Sequence, residues 1–116
     1  MSAILRALEA RAAAGDPIRI GLVGAGYAAR GFASRVIKRT PGVEIVAIAN
    51  RTIAEAERAY REAGVDEVSS VQSVADLDTA IRRRQPVVTD DPTLLTDAGR
   101  IEAIVEATGE VEFGAG

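Results

Sequence analysis

The sequence predicts an α/β fold with a doubly wound parallel sheet and an extra N-terminal helix. Three observations predict it. The apolar run Ile18-Arg19-Ile20-Gly21-Leu22-Val23 leads directly into Gly24-Ala25-Gly26-Tyr27-Ala28-Ala29. Gly31 to Arg39 then continues at helical spacing, with Ala29, Phe32 and Val36 on one face, until Pro41-Gly42 breaks it. Glu44-Ile45-Val46-Ala47-Ile48-Ala49 follows as the near-continuous apolar run of a buried parallel strand. Strand, glycine turn, helix and strand make a βαβ unit of Rossmann type. The expected strand order is 3-2-1-4, with right-handed crossovers placing helices on both faces.

The remaining elements follow in chain order. Ser2 can cap a helix from Ala3 to Ala14, with Leu5, Leu8 and Ala12 on one face. Gly15 can supply its left-handed stop and Pro17 lies just beyond. After Ala49, Thr52 and Glu55 have capping-box spacing for a helix to about Ala63, which Gly64 ends. Val65 to Gln72 reads as irregular, with a short extended piece around Val68 to Val71. Ser73 can cap a helix whose apolar face is Val74, Leu77 and Ile81. Pro86 to Thr89 is the third strand. Asp91-Pro92 opens a short helix through Leu94 and Leu95, which Gly99 ends. Ile101 to Ala107 is the fourth strand, with Thr108-Gly109 at its carboxyl end.

Composition bounds the function. The 116 residues suffice for one small domain with one core. Residues 1–16 read as the leading helix and 17–116 as a Rossmann domain for NAD(P), truncated, with any catalytic domain absent. The formal net charge is −3, and no basic block suggests nucleic acid or a membrane surface. Arg82-Arg83-Arg84 closes a helix, where cations complement the exposed carbonyls, so a solvated helix end is the expected role. Cysteine and histidine are both absent and Lys38 is the only lysine, which removes thiol nucleophiles, Cys-type metal sites and most acid–base candidates. No catalytic or metal-binding residue is therefore assigned. Neither a transmembrane span nor a signal peptide is recognisable, so the expected location is cytoplasmic.

Chemistry concentrates in the glycine turn. Gly24 permits the tight turn, Gly26 lets a pyrophosphate approach the backbone, and Ala29 is small enough for close helix–strand packing. The helix start at Tyr27 and Ala28 offers unpaired N–H groups to phosphate. An NAD site usually carries a carboxylate at the end of the second strand to accept from the ribose 2′-OH. Here that position falls near Asn50, followed by Arg51 and Thr52. Arg51 would attract a 2′-phosphate or stack on adenine, and Thr52 adds a hydroxyl at a helix start. The expectation is NADP(H) in preference to NAD(H), with NAD(H) still possible. FAD and S-adenosylmethionine sites also favour an acidic residue there, which counts against both. Thr108 and Gly109 would line the nicotinamide side, where Gly109 lets the chain pass closely beneath the cofactor. Glu106 is read as structural rather than catalytic.

Three segments in order carry a family resemblance: Ile18 to Gly26, Pro86-Val87-Val88-Thr89-Asp90-Asp91-Pro92, and Ile104-Val105-Glu106-Ala107-Thr108-Gly109. Together they resemble the homoserine-dehydrogenase-like NAD(P)-dependent oxidoreductases. The leading helix and its Gly-Asp-Pro exit are similar to one branch of these. That branch resembles deoxyxylulose-phosphate reductoisomerase-like enzymes with a C-terminal SAF domain. The resemblance implies a nicotinamide-dependent oxidoreductase whose catalytic lysine and acidic residues lie in a later domain.

The expected function is an NADP(H)-binding domain of an oxidoreductase that transfers a hydride between nicotinamide and a carbonyl or alcohol substrate. The chain alone is expected to be inactive, its small-molecule substrate being held by the missing domain. Two readings stand beside this one. The same fold could sense NAD(P)(H) without catalysis, or serve as a structural domain, with homo-oligomers formed through the leading helix or an open sheet edge. A methyltransferase is a further alternative, which S-adenosylmethionine binding would reveal.

Overall fold

Pro17 and Gly24 bracket the first apolar run, and β1 (Ile18–Val23) fills the space between them in the computed structural model, which describes residues 3–107. Before it lies α1 (Ala3–Ala13); after it come α2 (Tyr27–Arg39) and β2 (Val43–Ala49). Then follow α3 (Ile53–Glu62), the two-residue β3 (Ser69–Ser70), α4 (Val74–Arg82), β4 (Val87–Thr89), α5 (Thr93–Asp97) and β5 (Ala103–Glu106). The five strands form one sheet in the order β3-β4-β2-β1-β5, and every pairing is parallel. The four expected strands keep their expected order within it. The addition is β3, which extends the sheet beyond β4 through backbone bonds from Ser69 to the Pro86 carbonyl and from Val71 to that of Val88.

The sheet is buried on both faces. Leu22, Ile45 and Ile48 pack with Ala29, Ala33 and Val36 of α2 and with Ala56, Ala59 and Tyr60 of α3. On the other face, Val46, Ala47 and Val87 pack with Leu77 and Ile81 of α4 and Leu94 and Leu95 of α5. The alanines matter because small side chains let α2 and α3 lie close to the strands. Gly21 does the same for α5: a Cβ there would stand 2.8 Å from Leu95 Cδ2. The β1–β2 register shifts between Ile20 and Gly21, at this same close approach. The Tyr60 phenol is fully buried without a side-chain hydrogen-bond partner, and burial pushes its pKa well above the ordinary phenol value.

Four sequence expectations change in detail. Thr52 stands at the start of α3, but its side chain caps nothing. Glu55 turns along the helix to pair with Arg58 at 3.7 Å instead of reaching back, so the capping box does not close. Ser73 does cap α4, accepting from the Asp76 N–H at 3.1 Å. α5 ends at Asp97, before Gly99. β5 is shorter than expected and exposed at Ala103, Ile104 and Glu106, because it forms the sheet edge. In α1, Arg11 is half-buried beside Leu5 and Leu8 while Ala12 is exposed, so the inward face differs by one residue from the expected one. The Ser2 cap lies outside the described residues.

α1 packs at the amino end of the strands, remote from the glycine turn. Gly42, at φ +82°, backs onto the main chain of Leu8 so closely that a Cβ there would collide with the Leu8 carbonyl. Arg11 donates to the Asp16 carbonyl at 2.6 Å and to Glu102 at 3.2 Å, which ties α1 to the start of β5.

Candidate functional site

The site is built by what the strands leave behind at their carboxyl ends. β1 and β2 stop side by side, and the Gly24 N–H donates to the Ala49 carbonyl at 2.8 Å. Gly24 then turns at φ +113°, a conformation other residues rarely adopt. Gly26 is different. Its φ is −75°, open to any residue, and a Cβ built on it would meet nothing within 4 Å. Neither backbone geometry nor packing requires glycine there; the missing side chain leaves open space above the turn.

That space adjoins the start of α2. The first helical bond is Arg30 N–H to the Gly26 carbonyl at 2.9 Å, so the N–H groups of Tyr27, Ala28 and Ala29 have no intrahelical acceptor. No side chain caps this end, and its first turn carries no acidic residue to compete for those donors. The arrangement is the one that receives phosphate.

A cleft of about 470 Å³ opens over the turn, lined by Gly24, Ala25, Gly26, Asn50, Arg51 and Asp90 together with apolar edges from Val23, Ala49 and Pro92. Six of these positions, Gly24, Ala25, Gly26, Ala49, Asn50 and Arg51, lie on the turn or at the end of β2. Asp90 comes from the end of β4, adjacent to β2 in the sheet. Thus four of the sequence-derived residues, Gly24, Gly26, Asn50 and Arg51, meet in one cleft. The side chains of Tyr27 and Ala28 do not enter it. They line a separate depression on the outer face of α2 with Arg30, Phe32, Arg35 and Glu62, and Tyr27 is 88 % exposed. Thr52 is exposed and outside the cleft. Thr108 and Gly109 lie outside the described residues.

Within the cleft the polar groups have different freedom. The Asn50 amide nitrogen donates to the Thr52 carbonyl at 2.9 Å, which fixes the side chain and leaves its oxygen as an acceptor. Arg51 is exposed and makes no ion pair among the described residues. Asp90 follows the fully buried Thr89, whose hydroxyl accepts from the Asp91 N–H at 3.2 Å and whose carbonyl accepts from the Asn50 N–H at 3.0 Å. The ends of β2 and β4 are thereby locked together beneath the cleft.

A brace behind the turn was invisible in the sequence. Arg30 donates one guanidinium N–H to the Ala25 carbonyl at 3.1 Å and another to Glu62 at 3.0 Å. Glu62 also accepts from Arg58 at 2.8 Å. The Arg58 guanidinium and, next, Arg30 hold the Glu62 carboxyl below the usual carboxylate range. Arg30 and Glu62 are 32 residues apart, and only tertiary structure joins them. Asp90 was legible as a residue just past a strand and Pro92 as part of a helix start, but their place in the same cleft as Arg51 depends on the strand order.

Comparison with known proteins agrees with this geometry. Residues 18–108 match the Gfo/Idh/MocA family, described as an oxidoreductase family with an NAD-binding Rossmann fold. Among solved structures, the chain is similar to myo-inositol dehydrogenase from Lactobacillus casei, crystallised with NAD(H) and myo-inositol. The identity is 23 % and the TM-score 0.55, with 79 % of this chain and 22 % of that one covered. The chain thus spans about a fifth of that relative's length, and the likeness is one of fold. No curated protein matches the chain.

Proposed function

The chain belongs to the oxidoreductase family with an NAD-binding Rossmann fold; from that premise we propose that it is the NADP(H)-binding domain of an enzyme reducing or oxidising a carbonyl or alcohol carbon. The observation that carries dinucleotide binding is Gly26, a glycine that the protein's own packing does not need. It adjoins an uncapped helix start within an open cleft. In this reading Gly24 makes the turn, and the N–H groups of Gly26, Tyr27 and Ala28 bind the pyrophosphate. When bound, the nicotinamide supplies or accepts the hydride. The protein's residues hold it in register, and the Arg30–Glu62 brace keeps the turn from drifting.

The choice of dinucleotide rests on the end of β2. A carboxylate at that position would repel a 2′-phosphate; this chain has Asn50 and then Arg51. Arg51 has no anionic partner among the described residues and lines the cleft, so its guanidinium is free for a phosphate. Thr52 contributes through its place at the helix start rather than through the cleft wall. Thr108 and Gly109 complete the nicotinamide side. The substrate and the catalytic acid–base groups belong to a later domain, as the homoserine-dehydrogenase-like resemblance implies.

One observation favours NAD(H) instead. Asp90 lines the same cleft as Arg51, and a carboxylate there can accept from ribose hydroxyls and oppose an added phosphate. Parallel calorimetric titration with NADP⁺ and NAD⁺ separates the two. The NADP(H) reading expects about tenfold tighter NADP⁺ binding, about 1.4 kcal/mol, and loss or reversal of that preference in Arg51→Asp. Equal affinities, or a preference unchanged by Arg51→Asp, would remove Arg51 from the site and favour NAD(H). Absence of binding to either would favour the structural reading of the domain.

A further inference from the structure

The chain is acidic overall, with a formal net charge of −3, yet arginines converge at the amino end of its sheet. Arg19 from β1, Arg82 and Arg84 from the end of α4, and Arg100 from the segment before β5 line one pocket of about 330 Å³. Glu44 is the single carboxylate among the lining residues. The strands carrying Arg19 and Glu44 are parallel and these two residues are register partners, which fixes the pocket at the end of the sheet opposite the glycine turn.

Two of the four guanidinium groups are held by backbone carbonyls. Arg19 Nε donates to the Arg100 carbonyl at 2.8 Å, and Arg84 Nη2 to the Gly15 carbonyl at 3.0 Å. A carbonyl orients a guanidinium without cancelling its charge. Arg19 shares Asp16 at 3.5 Å and Glu102 at 4.0 Å. Arg82, Arg84 and Arg100 form no ion pair among the described residues. Arg84 is also the one non-glycine residue at positive φ among the described residues, +57°. It follows α4 in a Schellman-type end, with Arg84 N–H to the Ile81 carbonyl and Gln85 N–H to that of Ala80. Glycine is the residue such a position favours, so the backbone gains nothing from arginine. Complementing a helix end accounts for Arg82; it does not account for Arg19 and Arg100, which approach from other elements.

We propose that this pocket is a second binding site, for a small, multiply charged anion bearing phosphate or carboxylate groups. A concave site lined by four guanidinium groups, three of them outside any ion pair among the described residues and two pre-oriented by carbonyls, attracts such anions and can hold their oxygens bidentately. Its volume suits a small molecule and not an extended polymer.

Amide NMR spectra of the 15N-labelled chain test this, with inorganic pyrophosphate and, separately, citrate titrated at constant ionic strength. Saturable shifts at Arg82 to Gln85 and Gly99 to Glu102 are expected. A stronger response to pyrophosphate assigns phosphate chemistry, and to citrate carboxylate chemistry. The double variant Arg82→Ala, Arg100→Ala, which gives up within the fold a single exposed hydrogen bond, Arg82 to the Thr79 hydroxyl at 3.5 Å, should bind about tenfold more weakly or worse. Arg84→Gly should also weaken binding with little change in Tm, since glycine relaxes the turn and offsets the lost bond to the Gly15 carbonyl. Shifts confined to Gly24 to Ala29 would put the anion on the glycine turn alone and overturn the proposal. So would shifts that fail to saturate, or saturable shifts that survive all these substitutions.

Discussion

The two ends of the sheet use glycine for opposite reasons. At the amino end, Gly42 is buried at φ +82° with the main chain of Leu8 against it. At the carboxyl end, Gly26 is exposed at an ordinary φ with empty space where a side chain would be. The first is demanded by the protein's own structure. The second is demanded by nothing in the protein. A residue without a structural reason, at the point where a helix presents unpaired N–H groups, is best explained by what binds there. The ion pairs divide the same way: Arg11, Asp16, Arg19 and Glu102 knit the amino end, whereas Arg51 in the cleft has no ion pair among the described residues.

This contrast gives a double dissociation. Gly26→Val should reduce dinucleotide affinity at least ~100-fold, about 2.7 kcal/mol, because the branched side chain would occupy the phosphate space. Its unfolding free energy should stay within about 1 kcal/mol of the parent, the usual scale for a changed N-cap. Calorimetric titration beside urea denaturation would measure both. Intact binding in a folded Gly26→Val would leave Gly26 without a role and dissolve the contrast.

Gly42→Ala is the converse. A left-handed φ costs a non-glycine residue about 1–2 kcal/mol, and the collision with Leu8 adds the displacement of α1. Destabilisation of about 2 kcal/mol or more is expected in denaturant midpoints at unchanged m-value. Affinity should hold at temperatures where the variant remains folded. A selective loss of affinity would show that the two ends are coupled, which the geometry gives no reason to expect.

The same contrast explains what could be read from the sequence. β1 was legible to its ends because a proline and a glycine bracket an apolar run. The Ser73 cap was legible because the contact is local. Asn50 and Arg51 could be placed because β2 ends at a fixed interval after the glycine turn. What stayed hidden depends on the partner. The extended piece around Val68 to Val71 was legible, but its place in the sheet was not: Ser69–Ser70 pairs because β4 offers carbonyls at its edge. Thr52 and Glu55 have the right spacing for a cap, but Arg58 gives the Glu55 carboxylate an alternative partner. The pairing of Arg30 with Glu62 and the meeting of four arginines at the far pole arise from tertiary packing.

The smallest expected effect concerns the ion-pair chain behind the glycine turn at the carboxyl end. Glu62 receives Arg58 and Arg30, and Arg30 in turn holds the Ala25 carbonyl of the glycine turn. Its pKa is lowered in the folded protein, first by Arg58. A carboxyl whose folded pKa lies below its unfolded value stabilises the fold above the unfolded pKa, and that contribution disappears as pH falls through the folded value. The brace should therefore be intact at neutral pH and released only on the acid side of the ordinary carboxylate range. NMR titration of the Glu62 side-chain carbon should show a depressed midpoint that rises in Arg58→Ala. Glu62→Gln should weaken dinucleotide binding at neutral pH by no more than a few-fold, since Arg30 keeps its bond to Ala25. That modest loss should vanish at a pH low enough to protonate Glu62 in the parent. An ordinary midpoint for Glu62 in the parent chain would mean that the pairs do not persist in solution. The glycine turn would then be held by its backbone bonds alone, and the two ends would differ in glycine chemistry but not in how charge supports them.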